Sequence, residues 1–195
     1  MAEDQVTDFE VEEVESPPPL DPEVAERRRL ALQQVRQYGD PVLRAKARPV
    51  EVFDDELRAE VARMGGLMHD SLGIGLAATQ VGILHRLLVY RVEPGAPVNA
   101  LVNPVIEFSS EDEEWAEEGC LSLPAVHVEV ERPVFVRVRA QDEHGDAVVV
   151  EASGLEARVI QHEVDHLDGV LILDRTPKDQ RKEAMRALRE ALDAA

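Results

Sequence analysis

Apolar residues recur at helical spacing in three stretches of the chain and alternate with polar ones between them. Asp54 to Leu72 carries Leu57, Val61, Met64, Leu67 and Met68 as one stripe, which predicts an amphipathic helix. The Gly65-Gly66 pair inside it is costly for a helix and implies a close packing contact there. Residues 153–169 carry Leu155, Val159, Ile160, Val164 and Leu167 at the same period. Ser153 and Glu156 have the spacing of a capping box, and Gly169 stands where a left-handed C-terminal cap would fall. Lys178 to Leu192 gives a third helix, with Ala184, Met185, Leu188 and Leu192 on one face. Strands are predicted at Ile83–Val92, Leu101–Phe108, Val126–Val130, Val134–Ala140 and Ala147–Glu151. The alternation is plainest where Val134, Val136 and Val138 interleave with Phe135, Arg137 and Arg139. Asp142-Glu143-His144-Gly145 predicts a hairpin turn between the last two. Helices and strands without regular alternation imply an α+β fold. We expect small antiparallel or mixed sheets packed around helix 153–169, with a C-terminal helix.

The pattern fails before residue 30. Residues 1–26 hold ten acids, no Lys or Arg, and the run Pro17-Pro18-Pro19. The expectation is an acidic, solvated, disordered extension over residues 1–29 and one catalytic domain over 30–195. The net charge of -19 is thus concentrated at one end. An acidic chain is a poor general binder of nucleic acid, so no specific nucleic-acid role is expected. No apolar run reaches membrane-spanning length, and no signal pattern opens the chain. The single cysteine excludes an internal disulfide framework. Together these point to a cytoplasmic protein with no membrane partner.

The chemistry lies in helix 153–169. His162-Glu163-Val164-Asp165-His166 is an H-E-x-x-H pattern. Positions i and i+4 share a helix face, so His162 and His166 can grip one cation. Glu163 then reaches a water held by that ion without being a ligand itself. A catalytic site needs a third protein ligand and an open position. Cys120, in Glu118-Gly119-Cys120-Leu121-Ser122, supplies the ligand if it is a thiolate, and is otherwise a small buried apolar residue. Residues 73–82 form a small-residue loop in which glycines let backbone approach a ligand closely.

Three stretches, in order, resemble the signatures of the peptide deformylase family. They are Gly73-Ile74-Gly75-Leu76-Ala77-Ala78-Thr79-Gln80, Glu118-Gly119-Cys120-Leu121-Ser122 and Gln161-His162-Glu163-Val164-Asp165-His166. Asp40-Pro41-Val42-Leu43-Arg44 is similar to the family's N-terminal region, and the resemblance spans about residues 34–175. Thr79 replaces a proline common in the family, and His127 stands where many bacterial members carry arginine.

The resemblance implies a metal-dependent hydrolase that removes formyl from the N-terminal formyl-methionine of nascent polypeptides and releases formate. Cys120, His162 and His166 are then the metal ligands. The ion is Fe2+ by association with the family, with Zn2+, Ni2+ or Co2+ able to substitute. Glu163 acts as general base and then general acid. Gln80 and the Leu121 N–H stabilise the oxyanion. Ile74, Leu155 and Val159 are candidates for the methionine slot, although ordinary core packing explains Leu155 nearly as well. Gly75 is the candidate for a backbone contact that binds the peptide as an added strand. Two rivals stand beside this: a zincin-type protease, which would need a ligand such as Asp174 or Glu183, and a non-catalytic binder of N-termini. The basic C-terminal helix, with Lys178, Arg181, Lys182, Arg186 and Arg189, is a candidate for weak ribosome contact, against the simpler reading of a solvated face.

Overall fold

A computed structural model describes residues 20–193. Helix α1 spans Pro22–Leu32 and α2 spans Asp55–Asp70. Seven strands follow: β1 Gly75–Ala77, β2 Leu87–Tyr90, β3 Asn99–Ser109, β4 Glu113–Cys120, β5 Leu123–Pro133, β6 Phe135–Gln141 and β7 Ala147–Ser153. Then come α3 Gly154–Leu167, the short α4 Ile172–Arg175, and α5 Lys178–Asp193. The strands form a five-stranded antiparallel sheet, in the order β1-β2-β3-β6-β7, and a separate β4–β5 hairpin. The α+β expectation holds, as does the β6–β7 turn at Asp142–Gly145.

Alternation along β2 explains the layering. Leu87 and Val89 face α2, in a cluster with Leu57, Met64, Leu67 and Met68. Leu88 and Tyr90 face the other way, onto Ala157, Ile160, Val164 and Leu167 of α3. A third cluster packs β5 (Leu123, Val126, Val128, Val130) against α4 and against Ala184 and Leu188 of α5. Helix α3 therefore lies between the large sheet and the hairpin. Gly65 meets Val98 at 3.3 Å through a hypothetical Cβ, the expected close contact, whereas Gly66 faces open space.

The boundary expected at residue 30 needs correction. Asp21 caps α1 by accepting the Glu23 N–H at 2.9 Å, and Pro22 occupies its first turn. Ala31 is buried in the α2 cluster, and Arg27 pairs with Asp70 at 3.2 Å. Ordered structure thus begins before residue 30; the tail expected over residues 1–19 lies outside the described residues. The capping box at the start of α3 is also absent. Ser153 is the N-cap but makes no side-chain cap bond, and Glu156 accepts the Tyr90 hydroxyl at 2.9 Å. Gly169 does end α3 with φ +74°, and any Cβ there would sit 2.7 Å from the Arg44 carbonyl oxygen.

Candidate active site and metal centre

The three motifs meet at one point. The first supplies β1 and a 3-10 turn over Ala78–Val81 that carries Gln80. Gln80 is held at both ends of its amide. Oε1 accepts the Ala77 N–H at 2.8 Å, and Nε2 donates to Ser122 Oγ at 3.3 Å while lying 3.7 Å from Cys120 Sγ. The second motif ends β4, where the register slips between Gly119 and Cys120 and re-aims the thiol. The third is α3. Thr79 Oγ1 donates to the His166 carbonyl at 3.1 Å, so the hydroxyl ties the first motif to the third.

Cys120, His162 and His166 each offer an atom within 4.8 Å of the other two. Cys120 Sγ is 3.2 Å from His166 Nε2, and the two imidazole centroids are 4.9 Å apart. Tetrahedral zinc-like geometry would need separations of about 3.3–3.8 Å. A thiolate and two imidazoles is a donor set suited to a first-row divalent ion, so these residues could hold one once the donors draw together.

A buried ionic lattice fixes the donors. Glu118 accepts from Arg132 at 2.6 and 2.9 Å and from Arg158 at 2.8 Å, and it bonds His162 Nδ1 at 2.9 Å. That contact leaves Nε2 of His162 for an ion, the usual arrangement when a carboxylate orients a ligand imidazole. Arg132 also reaches Asp165 at 2.9 Å, and Asp165 accepts from Arg175. Burial alone would raise the Glu118 carboxyl, but its bonds to Arg132 and His162 hold it well below the usual carboxylate range. Burial would lower His162; its Cys120 and Glu118 partners outweigh that and raise it. His166 is lowered by burial and by the neighbouring His162.

Glu163 is 4 % exposed, and burial pushes its carboxyl up to about 7 against the pull of His162. Its Oε2 has no hydrogen-bond partner among the described residues. A side chain at Gly75 would collide with Glu163 and come within 2.9 Å of Val159 Cγ1. Gly75 is thus a glycine because the carboxylate passes directly over its backbone. In the same way, a Cβ on Gly73 would lie 2.9 Å from Leu121 Cδ1.

A cleft of about 480 Å³ opens over this carboxylate. Of the ten residues proposed from sequence, Cys120, His162, Glu163, Gln80, Leu121, Gly75, Ile74, Leu155 and Val159 line it. The tenth, His166, is 1 % exposed beneath the floor. Ile74 and Leu155 are 44 % and 54 % exposed, which places them at the rim, whereas Val159 is buried.

The sequence profile of the Polypeptide deformylase family matches residues 32–182. The chain belongs to the polypeptide deformylase family. It is 45% identical over 162 residues to the peptide deformylase of Parafrankia sp. (strain EAN1pec), covering 83% of this chain and 88% of that protein. It is 51% identical over 142 residues to the peptide deformylase of Thermotoga neapolitana, covering 73% and 85%. A crystal structure of the Synechococcus elongatus peptide deformylase, in complex with actinonin, superimposes with a TM-score of 0.76 at 45% identity, covering 78% of this chain and 85% of that one. As a deformylase the chain is a hydrolase that removes the N-terminal formyl group from nascent, formyl-methionyl polypeptides. The family and the donor cluster together imply a divalent metal.

Sequence reasoning about this deformylase missed several residues at the site. Glu118 lies inside a recognised motif, yet nothing in its spacing announces that it orients His162. Arg132 is in phase with Val126, Val128 and Val130, and that phase was the available signal for an inward side chain. His127, noted from sequence as standing where many bacterial members carry arginine, lines the cleft, with its imidazole 3.3 Å from where a Gly119 Cβ would stand. Arg28 and Leu32 of α1 line it too, from a region expected to be tail and its border.

Proposed function

We propose that Cys120, His162 and His166 hold one divalent ion, ferrous iron in the native protein, and that Glu163 is the proton carrier of deformylation. The observation that carries this is the buried Glu163 carboxylate, with Oε2 unpartnered, on the floor of the cleft beside His162. An ion held there would supply Lewis-acid chemistry, lowering the pKa of a water and polarising the formyl oxygen. Glu163 takes the water's proton and delivers it to the departing amine, so that formate and a free N-terminus leave. Its elevated pKa suits both directions of transfer near neutral pH.

Gln80 Nε2 stands beside Cys120 with its orientation fixed by Ala77 and Ser122, ready to donate to the oxyanion. The Leu121 N–H supplies a second donor, and the peptide that follows it is held by the Gln37 amide, which donates to the Leu121 carbonyl at 3.3 Å. Strand β1 is an edge strand, paired only with β2, so its free side can take the substrate backbone as an added strand at Gly75. Val159, Ile74 and Leu155 supply apolar surface to the methionine side chain.

Anaerobic purification followed by metal analysis and assay with formyl-Met-Ala-Ser tests this directly. Wild type should contain about one iron per chain and release formate, and Cys120→Ala should lose metal and activity together, since a two-imidazole site lacks the third ligand. Full metal content in that variant would remove Cys120 from the ligand set. Cleavage of an internal peptide bond, or binding without formate release, would favour the rival readings.

We infer a cytoplasmic place of work, where nascent chains emerge. Helix α5 presents Lys178, Arg181, Lys182, Arg186 and Arg189 beside one another, which supports a weak, salt-sensitive ribosome contact. Ala184 and Leu188 anchor that helix in the core, so charge reversal tests the contact better than truncation. Replacing Lys182, Arg186 and Arg189 by Glu should abolish cosedimentation with ribosomes at low salt; unchanged sedimentation would reject the contact.

A further inference from the structure

Helix α1 begins ten residues before the segment that matches the family profile, yet it forms part of the active-site cleft. Arg28 and Leu32, at i and i+4, share one helix face, and both line the same cavity as Cys120 and Glu163. The helix is held in place. Ala31 is buried against α2, Arg27 pairs with Asp70, and just beyond it the Arg36 N–H donates to the Gln80 carbonyl at 2.7 Å.

The charges along α1 are divided. Arg27 is committed to Asp70, and Arg29 to Glu26 at 2.6 Å. Arg28, between them, has no carboxylate within ion-pair distance among the described residues and points its helix face at the cleft. The other arginine of the cleft, Arg158, is spent on Glu118 and on the Val130 and Glu114 carbonyls. Arg28 is thus the uncommitted cation where substrate enters. Glu117 on β4 also lines the cleft without an ion pair among the described residues, so an acidic side chain gains only where it meets Arg28 directly.

We propose that Arg28 is a specificity determinant that pairs with an acidic side chain on one of the first residues after the formyl-methionine, with Leu32 packing against the same stretch of peptide. The inference rests on the substrate reading above. An extended peptide advances about 3.3 Å per residue, so an added strand at β1 carries the residues after methionine out along the cleft wall. The guanidinium meets the acid in solvent, so the gain is modest and falls with salt.

The experiment compares kcat/KM for formyl-Met-Ala-Ser-Ala with three peptides carrying Asp at the second, third or fourth position. Wild type, Arg28→Ala and Arg28→Glu are assayed as full-length, metal-loaded enzyme. In wild type, one position should favour Asp over its neutral counterpart by about two- to fivefold, the range of an exposed ion pair. Arg28→Ala should erase that preference and Arg28→Glu invert it, with the change carried by KM. Because each preference is a ratio within one preparation, loss of active protein cancels. The neutral peptide reports separately on the reaction itself: if it is not deformylated, the substrate reading fails. Turnover of the neutral peptide with Asp preferences that do not move among the three proteins would overturn the role of Arg28 alone.

Discussion

Glu163→Gln is expected to keep its metal and fold and to lose formate release by at least about 100-fold, within the 10²–10⁴ range of a positioned proton carrier. The amide matches the carboxylate in shape, so it fits the same close pass over Gly75. What changes is chemistry: a neutral amide cannot take up the water's proton and return it to the amine. The proposed ligands Cys120, His162 and His166 are untouched, and Glu118 still bonds His162. Metal content, thermal stability and single-turnover formate release should be measured on one preparation. Turnover within tenfold of wild type would remove Glu163 from the proton path, whatever the metal does. Loss of metal along with turnover would mean that the carboxylate acts on the ion rather than on the proton.

The reach of the sequence was set by periodicity. Helix α3 was legible because its apolar stripe and its two histidines follow the same 3.6-residue period. Its first turn was not, since Glu156 suits two partners equally well and only the tertiary structure offers it the Tyr90 hydroxyl. Strand β4, Glu113–Cys120, has no apolar alternation to read; among the described residues β5 is the strand that pairs with it, through the hairpin ladder. Strand β1 is three small or apolar residues, buried throughout and too short to show a period. Helix α1 carries five charged residues among its eleven and shows no continuous apolar stripe, so its first part was placed with the tail, although Asp21-Pro22 carries a local start signal.

The candidate site divides in the same way. Residues whose chemistry is local, the His162–Glu163–His166 spacing and Cys120 in its motif, could be named from sequence. The residues that make the site work as a unit belong to partners far apart in the chain: Glu118 with His162, Arg132 with Asp165, Thr79 with the His166 carbonyl. No single-chain pattern encodes such pairings, which only the packing of α3 between two sheets brings about.

Arg132→Met tests the largest of those pairings. Arg132 is 3 % exposed and bridges Glu118 on β4 to Asp165 on α3. Removing it strands one negative charge on each side of the interface, although Arg158, His162 and Arg175 still touch the two carboxylates. Breaking a buried pair in this way costs about 3–5 kcal/mol, or a fall in Tm of about 6–20 °C for a chain of this size. The deficit should depend on pH in a defined sense. Glu118 has a depressed pKa in the folded state, so its stabilising contribution is present above the ordinary carboxylate range and is lost as pH falls below it. Wild type therefore loses this advantage on acidification, and the gap between the two proteins should hold from pH 7 to about pH 5 and narrow progressively below the ordinary glutamate pKa of about 4.3. Urea unfolding with metal chelated from both proteins isolates this contribution from metal loss. Adding Glu118→Gln and Asp165→Asn to Arg132→Met should recover part of the lost stability, because the neutral amides no longer need the guanidinium. A deficit below about 1 kcal/mol at pH 7, or a triple variant no more stable than the single one, would show that the lattice orients His162 without holding the hairpin to α3.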